Sequence, residues 1–329
     1  MQLYQLYTGK MAASPTHTSI PQPPKWQVYL AFAAIYIIWG STYLGIRFTN
    51  ETIPPFLMSG MRFIIAGSCL FGYARFVQKA PAPTWPNIKA AAMVGLLLIL
   101  IGNGGVAYAE LTIPSSIAAL LIATSPVWFV LLGWLFFGNA RPNRKVIGGL
   151  VLGLAGMVVL IGPGQLRGHS LDMVGLGIIV ISTIGWTVGS LYSSVSKTLA
   201  SPLIHTALQM LAGGLFLLLM ATLRGEVANF HVEQVSLKSW LAFGYLVVFG
   251  SLIGFNAYSW LIRVVPPSQA STYAYVNPLV AVVLGWLFGG EAITLQMLLA
   301  GTFILFGVIL ILRSKAKAQE PEAIPEEVT

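Results

Sequence analysis

Residues 131–138 read LLGWLFFG and residues 283–290 read VLGWLFGG, the same phrase repeated at an offset of 152. The match extends backwards at that offset. PSSIAALLIATSP (114–126) aligns with PPSQASTYAYVNP (266–278), setting Pro114 over Pro266, Ala118 over Ala270 and Pro126 over Pro278. Nearer the N-terminus the offset is 147, where Trp39 matches Trp186 and RFIIAG (62–67) matches QMLAGG (209–214). Self-similarity of this kind defines the unit from which a fold is built, so the chain is read as two copies of one module.

The chain of 329 residues is 56% hydrophobic and only 9% charged, with a mean hydropathy of +0.79. A water-facing surface needs about 25% charged residues, so the polypeptide belongs in a bilayer. A spanning helix takes roughly 20 mostly apolar residues. Ten such stretches are legible, near 28–47, 55–77, 89–109, 114–138, 144–162, 172–196, 203–223, 237–262, 267–289 and 292–312. They are apolar on all sides, as in AAAMVGLLLILIG, and lack the two-residue alternation of a β-barrel. The expected fold is an all-α polytopic membrane protein with ten transmembrane helices.

Residues 1–27 carry only Lys10 and Lys25 among many Pro, Ser and Thr, and read as a flexible cytosolic tail rather than a targeting segment. Residues 313–329 read as a second cytosolic tail. With the N-terminus inside, thirteen cations fall on the cytosolic side: Lys10, Lys25, Arg75, Lys79, Lys89, Arg141, Arg144, Lys145, Lys197, Arg263, Arg313, Lys315 and Lys317. Four fall outside: Arg47, Arg167, Arg224 and Lys238. The positive-inside rule then places both termini in the cytosol. Topology accounts for the net charge of +8, and nothing points to nucleic acid. The lone Cys69 allows no disulfide within the chain.

Five spans per module is an odd number, so the second copy (172–312) enters the membrane from the side opposite to the first (28–162). Inverted repeats of this kind occur in secondary transporters, which bind substrate near the midplane where the repeats meet. The segments IIWGSTYLGIRF (37–48), MRFIIAG (61–67), PSSIAALLIATSP, GGLVLGLAGMVVL (148–160) and TYAYVNPLVAVVLGWLFGGEAIT (272–294) resemble the EamA family of the drug/metabolite transporter superfamily, most closely its YedA-like bacterial members. The resemblance covers about residues 28–313. It implies a ten-helix carrier of the bacterial inner (cytoplasmic) membrane that exports amino acids or other small metabolites through a central cavity, with no cofactor. Its partners are then a small-molecule substrate and membrane lipid.

Polar and aromatic side chains inside the spans are the candidate substrate cavity. Trp39, Ser41 and Tyr43 come from helix 1, Asn103 from helix 3, Trp186 and Ser190 from helix 6, Asn256 from helix 8, and Tyr273, Tyr275 and Asn277 from helix 9. Asparagine cannot leave its amide unsatisfied in lipid, so these residues face protein or a wet cavity; interhelical hydrogen bonding is the plainer account of each. Arg62, early in helix 2, is expected in a structural or gating ion pair with Glu51 or Glu110. His205 is expected near the cytosolic interface, where packing or snorkelling is its commoner role, and Glu291 is expected to cap helix 10. A proton-coupled cycle would run through Glu110, His205 or Glu291. Pro126 and Pro278, at equivalent places in helices 4 and 9, each remove a backbone donor and provide a bend.

Two rival classes are weaker. An intramembrane aspartyl protease needs two carboxylates, and Asp172 is the one aspartate; H-E-x-x-H is absent and the four histidines are scattered. A channel or facilitator generally builds its filter from several subunits, whereas this chain carries its own pair of modules. No Gly-Lys-Ser/Thr phosphate loop supplies ATP.

Overall fold

A computed structural model describes residues 23–109, 111–113, 115–166, 172–196, 201–289 and 293–314. Among them the secondary structure is helical throughout, apart from turns and short connections. The long helices are α1 (Lys25–Thr49), α2 (Pro55–Val77), α3 (Trp85–Ala109), α4 (Ile117–Phe136), α5 (Arg144–Gly162), α6 (Met173–Val195), α7 (Pro202–Leu223), α8 (Leu237–Val264), α9 (Tyr273–Gly289) and α10 (Leu295–Leu312). Nine of them are long and apolar enough to cross a membrane. The exception is α9, whose 17 residues extend only about 26 Å at 1.5 Å per residue, short of a hydrocarbon core of about 30 Å. Sequence reading began this span at residue 267. In the structure Pro267–Ala270 forms a separate turn of helix and Ser271–Thr272 a break, which takes those residues out of the rod.

Local chemistry sets the ends. Proline occupies the first turn of α2 and α7, where its missing N–H costs nothing. Asp172 caps α6 by accepting from Val174 N–H, and Thr294 caps α10 by accepting from Met297 N–H. Helix 10 therefore starts at Leu295, beyond the position expected for it, and its cap is Thr294; Glu291 lies outside the described residues. The phrase LLGWLFFG ends on Gly138, whose φ of 68° lies in the left-handed region and stops α4.

The prolines do not act alike. Helix α4 is interrupted at Ala123–Thr124, and Pro126 sits in the first turn of its second half. Helix α9 instead runs through Pro278 without a break. One bend is thus at the expected place, while the other falls earlier, at Ser271–Thr272, where the helix has already been released.

Packing relies on close backbone approach, because an all-apolar surface gives helices in lipid little else to select by. A Cβ added at Gly149 would lie 2.6 Å from the Gly307 carbonyl oxygen, and one at Gly307 would lie 2.7 Å from that of Gly149, so α5 and α10 touch backbone to backbone. Gly67 and Gly214 serve α2 and α7 in the same way. Helix α3 packs on α6 and α7, α8 on α1 and α2, α1 on α9, and α6 on α4. Adding five to each helix number, cyclically, turns this set of neighbours into itself. Large apolar side chains such as Phe76, Leu219, Leu295 and Phe306 point outward, the reverse of what water tolerates and what lipid requires.

Candidate functional site

The centre of the molecule is an aromatic cluster drawn from α1, α6, α8 and α9. Trp39 meets Trp186 edge-on at a centroid distance of 5.8 Å, and these are the two residues matched at the offset of 147. Tyr258 of α8 lies 5.0 Å from Trp39, 5.5 Å from Trp186 and 5.6 Å from Tyr273, and Tyr273 is itself 5.0 Å from Trp39. Each ring carries a polar edge that has to be satisfied in a water-poor interior. Trp39 Nε1 donates to the Gly250 carbonyl at 3.2 Å. Trp186 Nε1 donates to Tyr258 Oη at 3.2 Å, and the same hydroxyl shares a 2.6 Å bond with Ser190. One hydroxyl therefore ties α8 to α6 beside the Trp39–Trp186 contact.

Backbone geometry beside the cluster is unusual. Gly95–Gly104 in α3 and Leu246–Phe255 in α8 are wound with the wider i→i+5 bonding of a π-helix, a feature concentrated at functional sites. The two segments occupy matching places in the modules. Gly102 and Gly254, at the offset of 152, make room for Trp186 and Trp39 respectively: a Cβ at Gly102 would meet the Trp186 ring at 3.0 Å, and one at Gly254 the Trp39 indole nitrogen at 2.7 Å.

Arg62 is buried against this assembly. Its Nε donates to Ser251 Oγ at 2.6 Å, and its guanidinium lies 4.9 Å from the Phe63 ring centroid. Phe63 packs on Phe255, which packs on Trp186. The expected ion pair with Glu51 does not form. Glu51 sits at the half-exposed end of α1 and accepts from Lys238 of α8 at 2.6 Å, so the rim charge is neutralised on the rim and Arg62 is held by a hydroxyl and a ring face. Glu110 lies outside the described residues.

The other candidates disperse. Ser41 bonds Tyr245 and the Ile38 carbonyl and lines a groove of about 640 Å³ together with Phe48, Leu241 and Leu284. Asn103, within the π-helical segment of α3, and Asn256, directly after that of α8, are half-buried. Tyr275 does not join the cavity: it is fully buried between α9, α5 and α10 and donates to the Leu150 carbonyl at 3.3 Å. Asn277 is 3% exposed with its Oδ1 unpartnered. The Tyr43 side chain lies outside what is described. His205, in the first turn of α7, is 2% exposed, and neither ring nitrogen has a partner. Arg263, counted from sequence among the cytosolic cations, lies within α8, and its Nε and Nη2 are buried and unpartnered. Tyr258 is the central residue that sequence reading passed over in favour of its neighbour Asn256.

A second, smaller cavity of about 230 Å³ opens where α2 begins and α3 and α7 end, lined by Phe56, Leu100, Tyr108, Met220 and Arg224. The Arg224 guanidinium lies over Tyr108 at 4.6 Å. Glu226 accepts from Leu57 N–H at 2.8 Å, and partial burial pushes its carboxyl above the ordinary range. Among the described residues no cluster of His, Cys, Asp and Glu could hold a metal ion.

The EamA-like transporter family matches residues 26–162 and again residues 173–313. The chain is 41% identical over 286 residues to an inner membrane transporter of Escherichia coli K12, YedA, covering 87% of this chain and 90% of that protein. It is 27% identical over 311 residues to the Bacillus subtilis transporter YvbV, covering 92% and 97%. A solved crystal structure superposes with a TM-score of 0.70 at 21% identity, covering 87% of this chain and 97% of its own, a likeness of fold. By the double family match and the extended identity, this chain belongs to the EamA-like transporter family and is a membrane transporter, not an enzyme.

Proposed function

We propose that the protein is a secondary exporter of small neutral or zwitterionic metabolites in the bacterial inner membrane, and that it works by alternating access between two inverted five-helix halves with both termini in the cytosol. The observation that carries this reading is the meeting of Trp39 and Trp186. Equivalent residues of two modules come together only at the axis that relates them, and that is where an inverted-repeat transporter binds its substrate. The exchangeable set of helix neighbours supports the same axis, with α9 acting as the tenth span across a locally thinned bilayer. The π-helical segments of α3 and α8 supply each half with a hinge beside its partner's tryptophan. Rocking one half against the other opens the aromatic cluster to one side and then to the other. A path of aromatic rings, hydroxyls and amides suits amino-acid-like or drug-like solutes.

The reading is tested by flux into proteoliposomes. Saturable transport that falls in Trp186→Ala and in Asn277→Ala, with expression intact, is expected. Unsaturable single-channel currents would assign the protein to channels, and unchanged flux in both variants would remove the site. A pH gradient that leaves flux untouched excludes the proton route through Glu110, His205 or Glu291. Topology has its own test in a Cys69→Ser background: cysteines placed at Gly138 and Gly290 are expected to react with a membrane-impermeant label from opposite sides.

A further inference from the structure

Helix α7 packs against the last turns of α8 (Asn256–Val264), and each of the two helices carries a polar side chain with buried, unpartnered atoms. His205 is 2% exposed, and both of its ring nitrogens are buried and bonded to nothing. The Arg263 guanidinium lies within electrostatic reach of that ring, with its Nε and Nη2 equally buried and equally unbonded. Buried polar atoms are almost always satisfied in a native protein, and a guanidinium offers donors only. Four such atoms, three or more of them able to donate, are what a group with several acceptor oxygens satisfies. The ion pairs among the described residues involve neither group. Gln209, one turn along α7 from His205, is occupied in bonding Ser193. Two further features favour negative charge. Ser201, the cap of α7, makes no side-chain hydrogen bond to the first-turn amides, and a helix N-terminus attracts anions. The planar fork of arginine matches the two oxygens of a carboxylate or phosphate.

We propose that His205 and Arg263 form a binding site for an oxyanion group, the carboxylate or phosphate of a solute or of a lipid headgroup. The site is distinct from the Trp39–Trp186 cluster and goes beyond the transport reading, since it requires only that an oxyanion bind to the folded chain. A bound oxyanion receives the Nε and Nη2 donors of Arg263 and one N–H of His205, leaving the second ring nitrogen to water or to the ligand.

The test is thermal unfolding of the delipidated full-length protein in detergent. Four additions are compared: sodium acetate, sodium phosphate, phosphatidylglycerol and phosphatidylcholine, with sodium chloride holding the ionic strength constant. An oxyanion at about ten times its dissociation constant is expected to raise Tm by roughly 2 °C or more. Arg263→Gln is expected to abolish the rise, and Arg263→Lys to retain part of it. A rise with acetate or phosphate assigns the site to solutes; a rise with phosphatidylglycerol alone assigns it to lipid. Should Arg263→Gln fail to fold, His205→Gln carries the same comparison. No rise with any of the three anions, or an equal rise in wild type and variants, overturns the proposal.

Discussion

Tyr258 concentrates the most consequence in the fewest atoms. Its hydroxyl accepts from Trp186 and pairs with Ser190, so Tyr258→Phe leaves an indole N–H and a serine hydroxyl buried without partners. The expected loss is about 1–3 kcal/mol of stability, read by thermal unfolding, together with slower flux. Ser190→Ala added to Tyr258→Phe should cost little more, because the bond is already gone. At the membrane edge, Asp172 gives a pH-dependent prediction with a definite sign. A hydrogen bond from Thr112 Oγ1, then backbone N–H groups of Gly175 and Val174, hold its carboxyl below the ordinary range. A carboxyl depressed in the folded state contributes stability above its unfolded pKa and loses it as pH falls through the folded value. Acid unfolding of wild type should therefore steepen below the usual carboxylate range, and Asp172→Asn should flatten that segment. Sequence inspection found Trp39, Trp186, Ser190 and Tyr273 by residue type and depth within a span. It passed over Tyr258, because a span that is apolar all round carries no periodic signal to say which face looks inward.

Helix crossings turn on single methyl groups. Gly149 and Gly307 hold α5 and α10 in backbone contact, whereas a Cβ at Gly148 would meet nothing nearer than Leu310 Cδ1 at 4.0 Å. Gly149→Ala is expected to destabilise by about 1–3 kcal/mol through overpacking. Gly148→Ala, one residue away, should be neutral or stabilising by up to about 1 kcal/mol, since alanine favours the helix. Comparing the two unfolding midpoints separates a crossing contact from helix propensity. Glycine pairs four apart in the sequence, Gly149/Gly153, Gly185/Gly189 and Gly250/Gly254, each meet other helices of the same chain. The i→i+5 winding of α3 and α8 had no such signature. Each of these segments accommodates a bulky indole from another helix at a glycine, a neighbour that only packing brings to it.

For the whole molecule, the proposed exchange of halves makes Trp39 and Trp186 functionally equivalent. Trp39→Ala and Trp186→Ala should each reduce flux, by comparable factors on the order of tenfold, the effect of losing about 1.4 kcal/mol of barrier stabilisation. Unequal effects, with one variant fully active, would separate the modules in function. Composition alone settled that this chain lives in lipid as a set of helices, because a polymer with 9% charged residues has no surface to offer water and must satisfy its backbone internally. The doubled phrase falls once in each of the two segments that match the family model, residues 26–162 and 173–313. Tertiary structure alone decided that Arg62 rests on Ser251 and a ring face rather than on Glu51. It also decided that Tyr275 fills the core while Tyr273, two residues away, reaches the centre, and that the ring nitrogens of His205 and Nε and Nη2 of Arg263 are left buried and unbonded. The division has one physical reason. Hydrophobicity is a sum over residues and can be read along the chain, whereas the partner of a polar group in a uniformly apolar helix depends on rotation and depth, which only packing against the neighbouring helices sets.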